Sequence, residues 1–456
     1  MDDLTSFTVV AGDTHSEVAK TLAEPVPQAL GVVDQFGLWG NLGVSLLGFT
    51  GAIFVLQPNG SGTPELSIVA GMTSIVLGTL LGTLAIAAAG VAGTRTGAPA
   101  MVLLRGLLGT RLSYLPTILN VVQLFGWGIF ELVTIATAAH VVAPGVPRWL
   151  YVLFAGVATG LLTLRPLGAI RILRRIATPA VVVVLVYLVI ELLRHPLPAL
   201  AHGTWSGFWI ATDTVVAAAV SFAPMAADYT RHARSARSAF WGALVGYGAT
   251  QFLCYAIGLV ALVTVARSPS DIYGAFVAVP LGSLGFSILA ARELDQSFAD
   301  VYSTVVSIQN IRPLWDRRVL AALVAALTTV LALAINISDY ENFLILLGSV
   351  FVPLTAVFII DFFLVSRDRT GLAGHRRRPA MVVAWLVGFV VYQLINPGYI
   401  GWWVTLWTHV DAAIGFRVEP WMSASILSFA AATVATAAFG ALETAARRRR
   451  GARLSA

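Results

Sequence analysis

A chain of 456 residues that is 57% apolar, 11% charged and net +6, with mean hydropathy +0.82, carries too little polar surface for a soluble globule of its size. Its single cysteine, Cys254, excludes an intramolecular disulfide and any cysteine metal site. The basic excess sits as arginine in short gaps between apolar stretches, so it speaks for membrane topology and lipid headgroups rather than nucleic acid.

Residues 1–35 are polar and acidic, with Asp2, Asp3, Asp13, Glu17, Glu24 and Asp34 against one base, Lys20. No apolar run follows a basic start, so the expectation is a flexible cytoplasmic tail and no signal peptide. Twelve apolar segments follow, near 36–56, 66–93, 114–142, 149–164, 176–193, 206–227, 240–266, 279–306, 319–336, 342–365, 380–396 and 421–444. Most approach or exceed the roughly 20 residues that cross a bilayer core. Numbered 1 to 12, they predict one all-helical membrane domain over 36–444 and a basic cytoplasmic tail over 445–456. Between segments 11 and 12, Tyr399, Trp402, Trp403 and Trp407 suggest an interfacial half-helix.

Arginine alternates from gap to gap. After the even segments come Arg95, Arg105, Arg111; Arg165, Arg171, Arg174, Arg175; Arg231, Arg234, Arg237; Arg312, Arg317, Arg318; and Arg367, Arg369, Arg376, Arg377, Arg378. The C-terminal tail adds Arg447, Arg448, Arg449, Arg450 and Arg453, for 23 in all. The opposite gaps hold four: Arg148, Arg194, Arg267 and Arg417. The positive-inside rule then places both termini in the cytoplasm, the protein in a plasma (inner) membrane, and the number of spans at an even value, which twelve satisfies.

Polar groups inside such segments are costly and mark functional interiors. Segment 1 holds Gly43, Gly48, Thr50 and Gly51, a weak signal by itself because glycine packs membrane helices. Segment 3 places Asn120, Gln123, Trp127 and Glu131 at spacings of three, four and four, on one helical face. Interhelical bonding accounts for the two amides. An indole beside a carboxylate instead suggests a floor for a flat, hydrogen-bonding solute. Segment 6 carries Pro224 after Ser221 and Phe222, so a kink or a break is expected there. At its end, Asp228 and Arg231 are spaced for an ion pair. Segment 8, read as one helix, holds Arg292, Glu293, Asp295, Gln296, Ser297 and Asp300, whose excess of carboxylate favours a bound cation or proton.

No phosphate loop, metal-ligand spacing or triad is present, and His140, His195, His202 and His232 lie near segment edges, so nothing supports an enzyme or an ATP-driven pump. Segments 1 and 6, expected to be interrupted near Gly48–Gly51 and Ser221–Pro224, would correspond in a five-segment inverted repeat, the mark of a secondary transporter. A non-transporting sensor lacks a signalling domain, and a scaffold has no use for mid-segment carboxylates.

Four stretches resemble nucleobase–cation symport family 1, which includes cytosine permeases and hydantoin transporters. They are Thr94-Arg95-Thr96-Gly97-Ala98-Pro99-Ala100-Met101 with Arg105 and Gly109; Leu115-Pro116 through Asn120 to Gly126-Trp127; Pro224 to Asp228-Tyr229-Thr230-Arg231; and Pro353 to Asp361-Phe362-Phe363. The resemblance implies a LeuT-like fold of five plus five inverted-repeat helices with two more at the C-terminus. It implies import of a nucleobase-like ring, cytosine or a related pyrimidine or purine, with sodium or protons. A thiamine-precursor pyrimidine, hydantoin or allantoin is the alternative. It also implies a substrate set of Trp127, Glu131, Gln123, Phe49, Ser221, Phe222 and Gln296. Trp127 stands where the family stacks an aromatic, and Glu131 where a family amide meets the ring. On segment 6 the expected aromatic position is Ala219, with Phe222 nearby. A sodium site would use carbonyls near Gly48 and Gly51, with Asp295 and Gln296 in place of the family's two hydroxyls. No cofactor is implied, no nucleic acid, and a functional monomer in membrane lipid.

Overall fold

The structure is a computed structural model that describes residues 9–10, 20–22, 24, 26–58, 65–165, 178–266, 272–334, 340–366 and 377–454. Asp2, Asp3, Asp13 and Glu17 of the tail, and Arg171, Arg174, Arg175, Arg267, Arg367, Arg369 and Arg376 of the gaps, lie outside the described residues.

Apart from one pair of two-residue strands, Val9–Val10 and Val26–Pro27, the described elements are helical. Seven helices among the described residues are long and apolar enough to cross a membrane, and eight if the bent pair Val32–Gly43 and Leu46–Leu56 counts as one. Arg148–Leu164, Pro179–Leu192 and Pro379–Ile395 are apolar but shorter. Segment 8, expected as one helix, is two: Gly282–Arg292 and Leu294–Ile311, parted at Glu293. The aromatic stretch after segment 11 does form a helix, Gly401–Ile414.

The packing is that of a protein with an apolar outside. In segment 4, Phe154, Val157 and Leu161 point outward while Val152, Ala155, Gly156 and Thr159 are buried. Bulky apolar groups face the lipid side, and small residues let helices meet within. Segments 2 and 6 use this repeatedly. A Cβ on Gly82 would stand 2.4 Å from the Ala219 Cβ, and one on Gly93 2.7 Å from the Ala227 Cα. That contact fixes the position of segment 6 beside the centre of the bundle.

Part of the stretch expected as a flexible tail is packed instead. Leu22, Val26, Ala29 and Leu30 are buried, and the first helix begins at Val32. Lys20 O accepts from Arg317 N (3.1 Å) and Gln309 Nε2 (2.7 Å), and Leu22 N donates to Pro313 O (3.1 Å). Farther along, Gln28 Nε2 donates to Thr94 O (3.0 Å), and Leu30 pairs with the backbone of His232 and Arg234. This strap runs from the gap between segments 8 and 9 to the ends of segments 2 and 6. His232 Nδ1 donates to Pro27 O (2.9 Å), while Nε2 accepts from Arg231 Nε (3.3 Å). That pattern requires the neutral ring. Burial first, then the Arg231 charge, pull the His232 imidazole down to about 3.

Candidate functional site

Segment 1 breaks by 55° at Val44 and Ser45, not between Gly48 and Gly51 as expected. Neither residue at the break is a glycine or a proline, so its cause is tertiary. Ser45 caps the second half by accepting from Leu47 N (3.0 Å), and Glu293 Oε1 accepts from Leu46 N (2.8 Å). A carboxylate at a helix N-terminus meets unpaired N–H groups and the positive end of the dipole. The carbonyls ending the first half are met from segment 8 too: Gln296 Nε2 donates to Leu42 O and to Val44 O (3.3 Å to the latter). Gly48 and Gly51 lie inside the second helix and admit segment 7, since a Cβ on Gly51 would stand 2.7 Å from the Tyr255 hydroxyl. Both were expected to lend carbonyls to a cation; here those carbonyls belong to a continuous helix and not to the break.

Segment 6 changes course only slightly. The interruption falls at Ser221 and Phe222, between Phe208–Val220 and Ala223–Thr230, and both residues keep right-handed helical angles. Pro224 stands in the first turn of the following helix, where a missing N–H costs little. The expected Asp228–Arg231 pair is not the arrangement found. Asp228 Oδ1 accepts from Ala100 N (2.9 Å), at the start of the Ala100–Leu108 helix, and Arg231 Nη2 reaches Tyr302 (3.4 Å).

Segment 3 brings its polar face to the centre. Asn120 donates to Ser307 (2.8 Å), and Gln123 donates to Asn120 (2.7 Å) and to Ser221 O (3.2 Å), so these amides bind helices together. One and two turns on, Trp127 and Glu131 line a narrow cavity of about 30 Å³. Trp127 sits edge-on to Phe343 (5.2 Å between centroids) and Tyr340 (5.9 Å), and its Nε1 makes no hydrogen bond. Glu131 is buried, faces Glu293, and has Oε2 without a hydrogen-bond partner. Segment 6 contributes Ala218 and Phe222 to the same cavity, whereas Ala219 packs on Gly82. Segment 8 contributes Gln296 and Asp300, and segment 1 Gly43, Ser45 and Gly48.

Of the residues expected to hold substrate, Trp127, Glu131, Phe222 and Gln296 thus meet at one cavity. Phe49, Gln123 and Ser221 do not line it. Phe49 is packed on Phe276 (4.8 Å), and the Ser221 hydroxyl donates to Ala218 O (2.7 Å). Asp295 lies beside Arg292 (4.0 Å) and does not line the cavity. Sequence reading missed Tyr247, Gln251 and Tyr255 of segment 7 and Tyr340 just ahead of segment 10, which also line the cavity. The π-helical stretch Gly242–Tyr247 turns Tyr247 inward, where its ring lies 5.0 Å from that of Phe222. The one available signal was the helical spacing of Tyr247, Gln251 and Tyr255.

A family model described as permease for cytosine/purines, uracil, thiamine, allantoin matches residues 38–379. The chain belongs to this family. The permease is a secondary-active symporter of nucleobase-like rings, not an enzyme. A search of curated proteins found no match. Among solved structures, the permease is similar to Mhp1, a nucleobase-cation-symport-1 family transporter, in a closed conformation with bromovinylhydantoin bound. That likeness has TM-score 0.70 and 18% identity over 92% of this chain and 94% of that one. For the inward-facing conformation of Mhp1 the TM-score is 0.65, with 17% identity over 96% and 95%. A manganese transporter of Eremococcus coleocola matches at 0.55, with 15% identity over 90% and 94%. These likenesses establish the LeuT-like inverted-repeat helical fold of a polytopic membrane protein.

Proposed function

We propose that the permease imports an amino-bearing ring, a pyrimidine such as cytosine, by alternating access around the cavity between segments 1, 3, 6, 7 and 8. The supporting observation is that one face of segment 3 presents a Trp127 indole and a Glu131 carboxylate, each with a free polar atom, to a cavity shared with Phe222. Trp127 stacks on one face of the ring, and Phe222 approaches the other. Glu131 accepts from an exocyclic amino group, whereas the N–H groups of hydantoin and allantoin each adjoin a carbonyl whose oxygen would face the second carboxyl oxygen. This favours cytosine-like rings over hydantoin or allantoin, and a thiamine-precursor pyrimidine also satisfies it.

Twelve spans in a five-five-two order complete this reading, with Gly282–Arg292 and Leu294–Ile311 as span 8 despite their charges. The arginine bias puts both termini in the cytoplasm. The permease works as a monomer, its driving ion a sodium ion or a proton. Uptake by proteoliposomes of cytosine, uracil, hydantoin, allantoin and an aminopyrimidine thiamine precursor tests the ring. Transport of cytosine and the aminopyrimidine is expected. Transport confined to hydantoin or allantoin would contradict the assignment.

A further inference from the structure

We propose that the side-chain amide of Gln296 occupies the place a sodium ion would hold at the break of segment 1, so that sodium is not a ligand of this permease. The inference rests on the symporter reading but not on which ring is carried.

The first half of segment 1 ends at Gly43, and carbonyls at a helix C-terminus lack intrahelical partners and carry the negative end of the dipole. Such carbonyls attract a cation. Here two of them, Leu42 O and Val44 O, converge on Gln296 Nε2. An amide nitrogen carries two N–H donors and no lone pair to offer, so both donors are committed and the nitrogen stands between the two oxygens. Hard cations take oxygen ligands. A sodium ion at this point would meet N–H hydrogens, and admitting it would need the buried Gln296 amide turned over to present Oε1, which breaks both of these hydrogen bonds.

Neither neighbouring carboxylate is shown to ligate at this point. Asp295, the carboxylate expected to serve a cation here, is turned toward Arg292, with Oδ2 4.0 Å from Nε. Glu293 binds the opposite pole of the break through Leu46 N. The interruption is thus closed at both poles by side chains of segment 8, an amide donor for the carbonyl end and a carboxylate for the N–H end. A hydroxyl at position 296 would be too short to reach the carbonyls and would leave them, with its own oxygen, facing an open space. The donor set found here does not fit a sodium ion, which leaves the proton as the driving ion.

Sodium binding can be read without any ring present, so failure of the ring assignment would leave this result untouched. The purified full-length permease is tested with radioactive sodium in a scintillation proximity assay, and by thermal unfolding in sodium chloride against choline chloride at equal ionic strength. The wild type is expected to show no saturable sodium binding and the same melting temperature in both salts. Gln296→Ser is expected to gain sodium binding and a higher melting temperature in sodium chloride. In proteoliposomes the wild type should accumulate ring under an imposed pH gradient without sodium. Saturable sodium binding by the wild type, or uptake that requires sodium, overturns the proposal whether or not the Gln296→Ser protein folds.

Discussion

Arg378 and Arg292 are both arginines set between two carboxylates, and they are treated in opposite ways. Arg378 donates through Nη2 to Asp361 Oδ1 (2.8 Å), through Nε to Glu443 Oε2 (3.1 Å) and through Nη1 to Leu107 O (3.3 Å). It ties the ends of segments 10, 11 and 12 with nearly all its donors engaged. Arg292 reaches Glu293 only at 3.4 Å and Asp295 at 4.0 Å, and its Nε and Nη2 make no hydrogen bond. Around it, Glu131, Glu293 and Asp295 each keep a buried oxygen without a hydrogen-bond partner. A satisfied polar network holds one arrangement, whereas a partly satisfied one has capacity left for a ligand or for a second arrangement. In this molecule the arginine-rich end is the fixed part, and the centre is the part that can change.

The comparison predicts different consequences at the two places. Arg378→Ala leaves two partly buried carboxylates without their cation, and losing such hydrogen bonds to charged groups costs about 1.5–3 kcal/mol of stability. Thermal unfolding should register a large loss, while any protein that remains folded binds ring with wild-type affinity. A weakened ring affinity at unchanged stability would reverse the roles assigned to the two regions.

At the centre the loss should fall on binding. Trp127→Ala removes the stacking face and should abolish measurable ring binding. Trp127→Phe keeps a ring at that position, so it should retain the fold and lose only about 0.5–1.5 kcal/mol of affinity. Isothermal titration with cytosine separates the two variants. Equal affinity in wild type and Trp127→Ala would remove the indole from the site.

A smaller effect belongs to His232 under the N-terminal strap. Its folded value near 3 lies below the ordinary 6.5, so the unfolded chain binds more protons between these values. Its contribution is fully present above pH 6.5 and is lost as pH falls toward 3, at about 1.4 kcal/mol per pH unit. His232→Asn can still donate to Pro27 O and does not titrate. Its melting temperature should fall less steeply than that of the wild type between pH 6.5 and 4.5. Parallel slopes would show that the strap does not depend on a neutral imidazole.

The apolar segments, the Trp127–Glu131 face and the charge cluster of segment 8 were legible because each is a local pattern, written in periodicity or in charges that hydrocarbon penalises. The break in segment 1 was not. Its partners, Glu293 and Gln296, lie some 250 positions away, and the glycines that drew attention serve packing. The strap was hidden because Leu22, Val26 and Leu30, though spaced by four, are interrupted by Pro25 and Pro27, so the stretch does not read as a helix. Tyr247 and Tyr340 reach the cavity through a π-helical turn and a helix start, neither of which the spacing of apolar residues records.

The central claim is that Glu131 reads the ring at the cavity, and discrimination tests it more directly than affinity alone. Binding of cytosine and of uracil is measured for the wild type and for Glu131→Gln by competition with one radiolabelled ring. Leaving a buried acceptor without its hydrogen bond costs about 1–3 kcal/mol. The wild type should therefore prefer cytosine by roughly ten-fold or more, and Glu131→Gln should lose most of that preference while still binding a ring. An unchanged cytosine-to-uracil ratio in the folded variant would contradict the account.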